Sequence, residues 1–136
     1  MFKDEIKKLL SLGYEGGYWD FKSDYLDTKE EKLHDIICMA NNIENRDVYL
    51  IYGANDDGTV CGIENTKKTR ITSLSLIQFL RTKSFAGGYV PNIEVKVLYI
   101  ENHKLDIVVI YRSDKTPYYL NKDYKDKKNN DKIVKA

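Results

Sequence analysis

The sequence predicts an α/β domain, a mixed five- or six-stranded sheet with about three helices, in which a βαβ unit is followed by hairpins. Three observations carry that expectation. Apolar residues recur at helical spacing in two stretches, Phe2, Ile6, Leu9 and Leu10, then Leu33, Ile36, Ile37 and Ala40. Asp47 to Gly53 is a nearly unbroken run of strand formers, suited to a central strand covered on both faces. Ile93 to Val97 alternates apolar and polar side chains, the period of a half-buried strand. At 136 residues the chain makes one domain, long enough to bury about two-thirds of its unfolded surface.

The first helix stops at Gly13, and a strand follows over Tyr18 to Ser23. Thr28-Lys-Glu-Glu31 reads as a capping box, opening a second helix that runs to about Asn42. Asn55-Asp-Asp-Gly58 is a turn, with a short returning strand over Thr59 to Ile63. Ile71, Leu74, Ile77 and Leu80 mark a third helix, and Phe85 to Asn92, with its Gly-Gly and Pro, is a loop. Glu101 to Lys104 joins Ile93–Val97 to a β run over Leu105–Tyr111. Tyr118-Tyr-Leu120 is expected to pair at an edge, after Pro117. Residues 1–120 make the domain, and 121–136 form a flexible tail with six Lys against three Asp.

Composition excludes several function classes. A net charge of +1 gives no global attraction to polyanions, so any nucleic-acid surface arises from local clustering. Cys38 and Cys61 lack metal-knuckle or disulfide spacing, and Cys38 is expected as a small core residue. Two reduced cysteines, no apolar run of membrane-spanning length and a charged N-terminus place the chain in the cytoplasm, away from membranes. There is no P-loop and no GxGxxG. His34 and His103 stand near no Ser or Cys nucleophile pattern, so acyl transfer has no support.

The segment Glu15-Gly-Gly-Tyr-Trp-Asp20-Phe-Lys22-Ser23 carries the chemistry. On a strand, Trp19 and Phe21 point one way, and Tyr18, Asp20 and Lys22 the other. The Gly-Gly turn folds Glu15 back toward Asp20. Carboxylates hold a divalent cation, and an adjacent lysine neutralises a phosphoryl oxygen. The same residues also suit a surface strand with a local ion pair. Asn-Asp-Asp-Gly is likewise what a turn requires, whatever Asp56 and Asp57 do beyond it.

The order of these stretches resembles the Schlafen-type AlbA_2 family, associated with DNA binding. It is carried by Glu15…Asp20-Phe21-Lys22-Ser23, Ile37-Cys-Met-Ala40-Asn41-Asn42, Gly53-Ala-Asn-Asp56-Asp57-Gly58-Thr-Val-Cys-Gly62 and Lys115-Thr-Pro117-Tyr118-Tyr119. In vertebrate Schlafen members the domain is similar to a metal-dependent RNA endonuclease with three carboxylates. That resemblance implies catalysis by Glu15, Asp20, Lys22 and Asp56, with Mg²⁺ or Mn²⁺ on Glu15, Asp20 and Asp56, and Asp57 as a substitute. Three features depart from the family pattern: Asp20 stands in place of Glu, Asn41 to Asp47 lacks a glycine turn, and the closing segment lacks an Arg and a Gly-Ser.

The expected function is therefore nucleic-acid binding, to DNA or RNA. The alternatives are metal-dependent endoribonuclease activity and, more weakly, a structural role. The candidate footprint is Lys22, Lys67, Lys68, Arg70, Arg81 and Lys83 with the lysine-rich tail, and Tyr18, Tyr89, Tyr118 and Tyr119 as stacking surfaces. Edge strands in the C-terminal half leave a homodimer open.

Overall fold

Helix α1 spans Phe2–Leu12 and buries Ile6, Leu9 and Leu10, one stripe of an amphipathic pattern. Gly13, in the left-handed region at φ 76°, ends it by donating its amide to the Leu10 carbonyl. The structure is a computed structural model that describes residues 1–26, 28–41, 46–83, 85, 89–113 and 118, and the backbone alone of 124–125 and 133–134. Strand β1, Trp19–Lys22, is followed by α2, Lys29–Ala40, and β2, Val48–Tyr52. Helix α3, Ser73–Arg81, and the hairpin of β3, Ile93–Ile100, with β4, His103–Ile110, complete the core elements.

The sheet order is β1-β2-β4-β3. β1 runs parallel to β2, as a strand–helix–strand unit in one sheet allows, while β4 is antiparallel to both β2 and β3. All five β2 residues are buried, as their unbroken apolar run predicts. Two apolar layers cover the sheet. α1 packs with Trp19, Phe21, Tyr49, Ile51, Ile107 and Val109 on one face. α2 and α3 pack with Val48, Leu50, Tyr52, Val108 and Ile110 on the other.

The expected five or six strands are corrected to four in this sheet. Thr59–Ile63 does not form a strand; it contributes one isolated bridge, Ala54 to Val60. The chain there is wound too tightly for a ladder, because the amides of Cys61 and Gly62 both turn onto the Gly53 carbonyl. The edge pairing expected of residues 118–120 has no counterpart at Tyr118, and 119–120 lie outside the described residues. Two short strands, β5 Tyr124–Lys125 and β6 Ile133–Val134, pair with each other in a separate antiparallel ladder. The remaining residues of the 121–136 tail lie outside the described residues.

Local details follow residue chemistry. Thr28 caps α2 through its hydroxyl, but the Glu31 carboxylate accepts from that hydroxyl and not from the Thr28 amide, so the box is half formed. A full capping box stands instead at Thr72 and Ser75, opening α3. Starting α3 at Ser73 puts Leu76 and Leu80 inward and leaves Leu74 65% exposed, so the expected stripe through Leu74 is corrected. The hairpin strands run longer than expected because a two-residue turn suffices, with Glu101 and Asn102 both at positive φ. Cys38 is exposed, its sulfur 3.5 Å from His34 Nε2, so it is not a core residue.

Candidate functional site

β1 is an edge strand. Its Tyr18 and Lys22 carbonyls turn toward β2, accepting from the Tyr49 and Gly53 amides. By strand alternation the Phe21 amide faces the open edge. Glu15 fills that position: the Gly16–Gly17 turn brings its Oε1 to 3.0 Å from the Phe21 nitrogen, which donates to it. The carboxyl groups of Glu15 and Asp20 come within hydrogen-bonding reach of each other. Partial burial, that contact and the charges of Asp20 and Asp56 hold Glu15 above the usual carboxylate range, against the Phe21 amide.

Asp20 and Lys22 lie on the α2 side of the sheet, as their pairing with Leu50 and Tyr52 requires. The Lys22 ammonium is 3.0 Å from Asp20 Oδ2 and 3.6 Å from Asp35 Oδ2. Burial works against its charge, but the hydrogen bond and charge of Asp20, then Asp35 and Glu15, outweigh it and raise its pKa. Asp35 projects from α2. Its Oδ2 is buried without a hydrogen-bond partner, and burial raises its pKa despite Lys22. The Tyr52 hydroxyl beneath is pushed up by burial and by the Asp35 and Asp20 charges. Sequence reasoning missed Asp35; its only signal was a charged residue beside the apolar positions Leu33 and Ile36 on α2.

Asp56 and Asp57 sit on the exposed turn after β2. Asp57 Oδ1 accepts from the Thr59 amide at 3.0 Å and from its hydroxyl at 2.6 Å, which lowers its pKa. That oxygen serves the turn. Asp56 acts on Glu15 through its field, and Ser23, Asn55, Asp56, Asp57 and Thr59 line an open depression. Among the described residues, no three His, Cys, Asp or Glu side chains converge to the spacing of a formed metal centre. Two adjacent carboxyls are nonetheless the donor set Mg²⁺ takes when water and phosphate complete its shell. Glu15 and Asp20 fit that role.

The expected binding residues are divided by the fold. Lys67, Lys68 and Arg81 are exposed and Lys83 half-buried. Lys68 donates to the Tyr25 carbonyl at 2.6 Å. Arg70, 33% exposed, bonds a buried partner: Nε and an Nη donate to Asp106 at 3.0 and 2.7 Å, and Nε also donates to the Tyr25 hydroxyl. Asp106 is 0% exposed and also accepts from the Tyr25 hydroxyl. Tyr118, 5% exposed, packs edge-on to Phe85, so its ring is not presented for stacking. Its backbone is clamped in both directions by the Asn41 side-chain amide. Tyr18 is covered by the Arg46 guanidinium 3.6 Å from its ring centre, whereas Tyr89 is exposed. Tyr119 lies outside the described residues. His103 pairs with Glu64, whose pKa falls to about 2 as the Lys104 amide and His103 hold its charge.

These features define an α/β domain with a paired-carboxyl and lysine cluster at an open sheet edge. The chain belongs to the Schlafen AlbA_2 family, whose model matches residues 15–135. Among solved structures it is similar to the DIP2311 protein from Corynebacterium diphtheriae, with a TM-score of 0.49 and 16% identity. That match covers 98% of this chain but 26% of the other, so the chain spans about a quarter of that protein's length. The search of curated proteins gives no match. Among the described residues no helix is long and apolar enough to cross a membrane.

Proposed function

We propose that this is a nucleic-acid-binding domain that engages the sugar-phosphate backbone through Lys22, Lys67, Lys68, Arg81 and Lys83. One observation carries the reading. Lys68 and Lys83, fifteen positions apart, are both drawn toward the first turns of α2: Lys68 acts on Lys32, and Lys83 shares the Phe79 ring with Lys29. Four lysines of a near-neutral chain thereby lie about one helix end, and clustered lysines hold phosphates by releasing their counterions. Family membership supports the same reading.

A second reading, metal-dependent phosphodiester cleavage, is favoured by the Glu15–Asp20 contact beside Lys22. A divalent ion there supplies Lewis-acid polarisation and an activated water. Within this chain, the Phe21 amide orients Glu15, the Asp20 side chain holds Lys22, and the Lys22 ammonium stabilises charge on a phosphoryl oxygen.

Fluorescence anisotropy with structured RNA and single-stranded DNA across a salt series tests the first reading. Retention that weakens steeply with salt is expected, and no retention at low salt defeats it. The same substrates incubated with Mn²⁺ or EDTA test the second. Cutting that needs the metal and disappears in Asp20→Ala establishes it, and intact substrates in both conditions dismiss it.

A further inference from the structure

Helix α2 carries a feature that neither the carboxyl cluster nor the sequence motifs contain. Lys29 and Lys32 are helical neighbours three residues apart, and Asp35 follows at the same step. The Lys29 ammonium lies 5.7 Å from the Phe79 ring centre, and the Lys83 ammonium lies 4.6 Å from the same ring. The Lys32 ammonium sits 5.4 Å over the ring of Tyr25, whose carbonyl accepts from Lys68. Two buried or half-buried aromatic rings thus hold three amines, from the α2 start and the α3 end, and the Tyr25 carbonyl holds a fourth from the loop before α3. Burial, then the charges of Lys29 and Lys68, lower the Lys32 pKa. Of the acids in that first turn, Glu31 is bonded to the Thr28 hydroxyl.

We infer that Lys29, Lys32 and Lys68 form a phosphate cradle that carries a polynucleotide strand along α2 toward Lys22. The inference rests on the proposed nucleic-acid reading and gives it a path. Lys29 to Asp35 is six residues of helix, about 9 Å at 1.5 Å per residue. That equals roughly three nucleotides at about 3.4 Å per nucleotide of stacked strand. Asp35, at the far end of this step, contacts Lys22. The cradle and the carboxyl cluster therefore hold different phosphates of one strand, and the ligand is a chain of at least three or four nucleotides, not a mononucleotide.

The test compares wild type with Lys29→Gln/Lys32→Gln, which leaves the Lys68–Tyr25 bond intact, and with Lys7→Gln/Lys8→Gln on α1 as a control. Oligonucleotides of two to eight nucleotides are titrated by anisotropy at 50 and 200 mM salt. Two lost phosphate contacts lower the log–log salt slope by about 1.4, so the affinity lost between those salts shrinks about sevenfold. The wild-type rise in affinity from two to four nucleotides should also flatten in the cradle variant and persist in the control. An unchanged slope and length dependence in a variant with a wild-type melting curve overturns the cradle, while wild-type binding leaves the nucleic-acid reading standing. Lysine ammonium NMR signals with inorganic tripolyphosphate separate the two failures. Selective shifts at Lys29, Lys32 and Lys68 without any oligonucleotide binding overturn the strand path and the nucleic-acid reading together, leaving only an anion site. Shifts spread equally over Lys7 and Lys8 overturn the cradle itself.

Discussion

Glu15 illustrates how one carboxyl is set between structure and chemistry. It caps an edge amide that β1 would otherwise leave to solvent, yet it does so against Asp20 and in the field of Asp56. Its folded pKa is raised, so between the unfolded and folded values the native state holds the proton more tightly. Stability from this group is therefore greatest at low pH and falls as pH rises through the folded value. Glu15→Gln keeps an oxygen for the Phe21 amide and removes the charge. The variant should melt at a higher temperature than wild type at pH 7, and the gain should vanish by about pH 3, where the native carboxyl is protonated. Thermal melts across pH decide it: a gain that survives at low pH, or a loss at pH 7, shows that carboxyl repulsion is not the cause. Glu15, Asp20 and Lys22 were legible as a group because strand alternation and a glycine turn are local rules. Asp35 was not, because a charged residue on a helix reveals its neighbour only once the helix is docked.

The turn after β2 shows how an element aims its acids. Gly58 sits at φ 85° and packs against the Leu10 carbonyl at the end of α1. A side chain there meets both a left-handed backbone and a neighbouring main chain. Gly58→Ala should destabilise by more than the roughly 1–2 kcal/mol of a left-handed non-glycine residue alone, as read by urea unfolding. It should also move the Asp56–Asp57 turn away from Glu15. A variant as stable as wild type shows that the α1 contact yields easily. The turn signal was plain in Asn-Asp-Asp-Gly, whereas the missing strand after it was not. Gly53 and Gly62 permit the tight return that steals the ladder amides, and only the folded path shows where those amides go.

At the scale of the molecule, a polar row crosses the α2 face of the sheet. Lys22, Tyr52 and Asp106 stand side by side on β1, β2 and β4. Tyr25 stacks beside Tyr52, and Arg70 closes the row on Asp106. This network ties the segment after β1, the loop before α3 and the sheet centre into one unit. Asp106 is buried, so removing Arg70 strands its charge. Arg70→Met should therefore cost about 3 kcal/mol in urea unfolding. Its affinity for polynucleotides, measured where it remains folded, should stay within about twofold of wild type, because a lost phosphate contact is what would weaken binding and its salt slope. The reverse pattern, unchanged stability with a marked loss of binding, returns Arg70 to the binding surface that its charge alone suggested.

Residue order was enough for the α/β class, the helix stripes of α1 and α2, the strand–helix–strand unit and the buried run of β2, and the order of the motifs carried the family resemblance. The elements among these rest on periodicity, propensity and short-range turn chemistry, which act within a few residues. Packing between distant segments set the number of strands in the sheet, the bonding of Arg70 to buried Asp106, the burial of Tyr118, the exposure of Cys38, and the approach of Lys68 and Lys83 to α2. Each of these depends on which distant segment lies opposite, and a side chain's charge or ring does not encode its partner until packing brings that partner near.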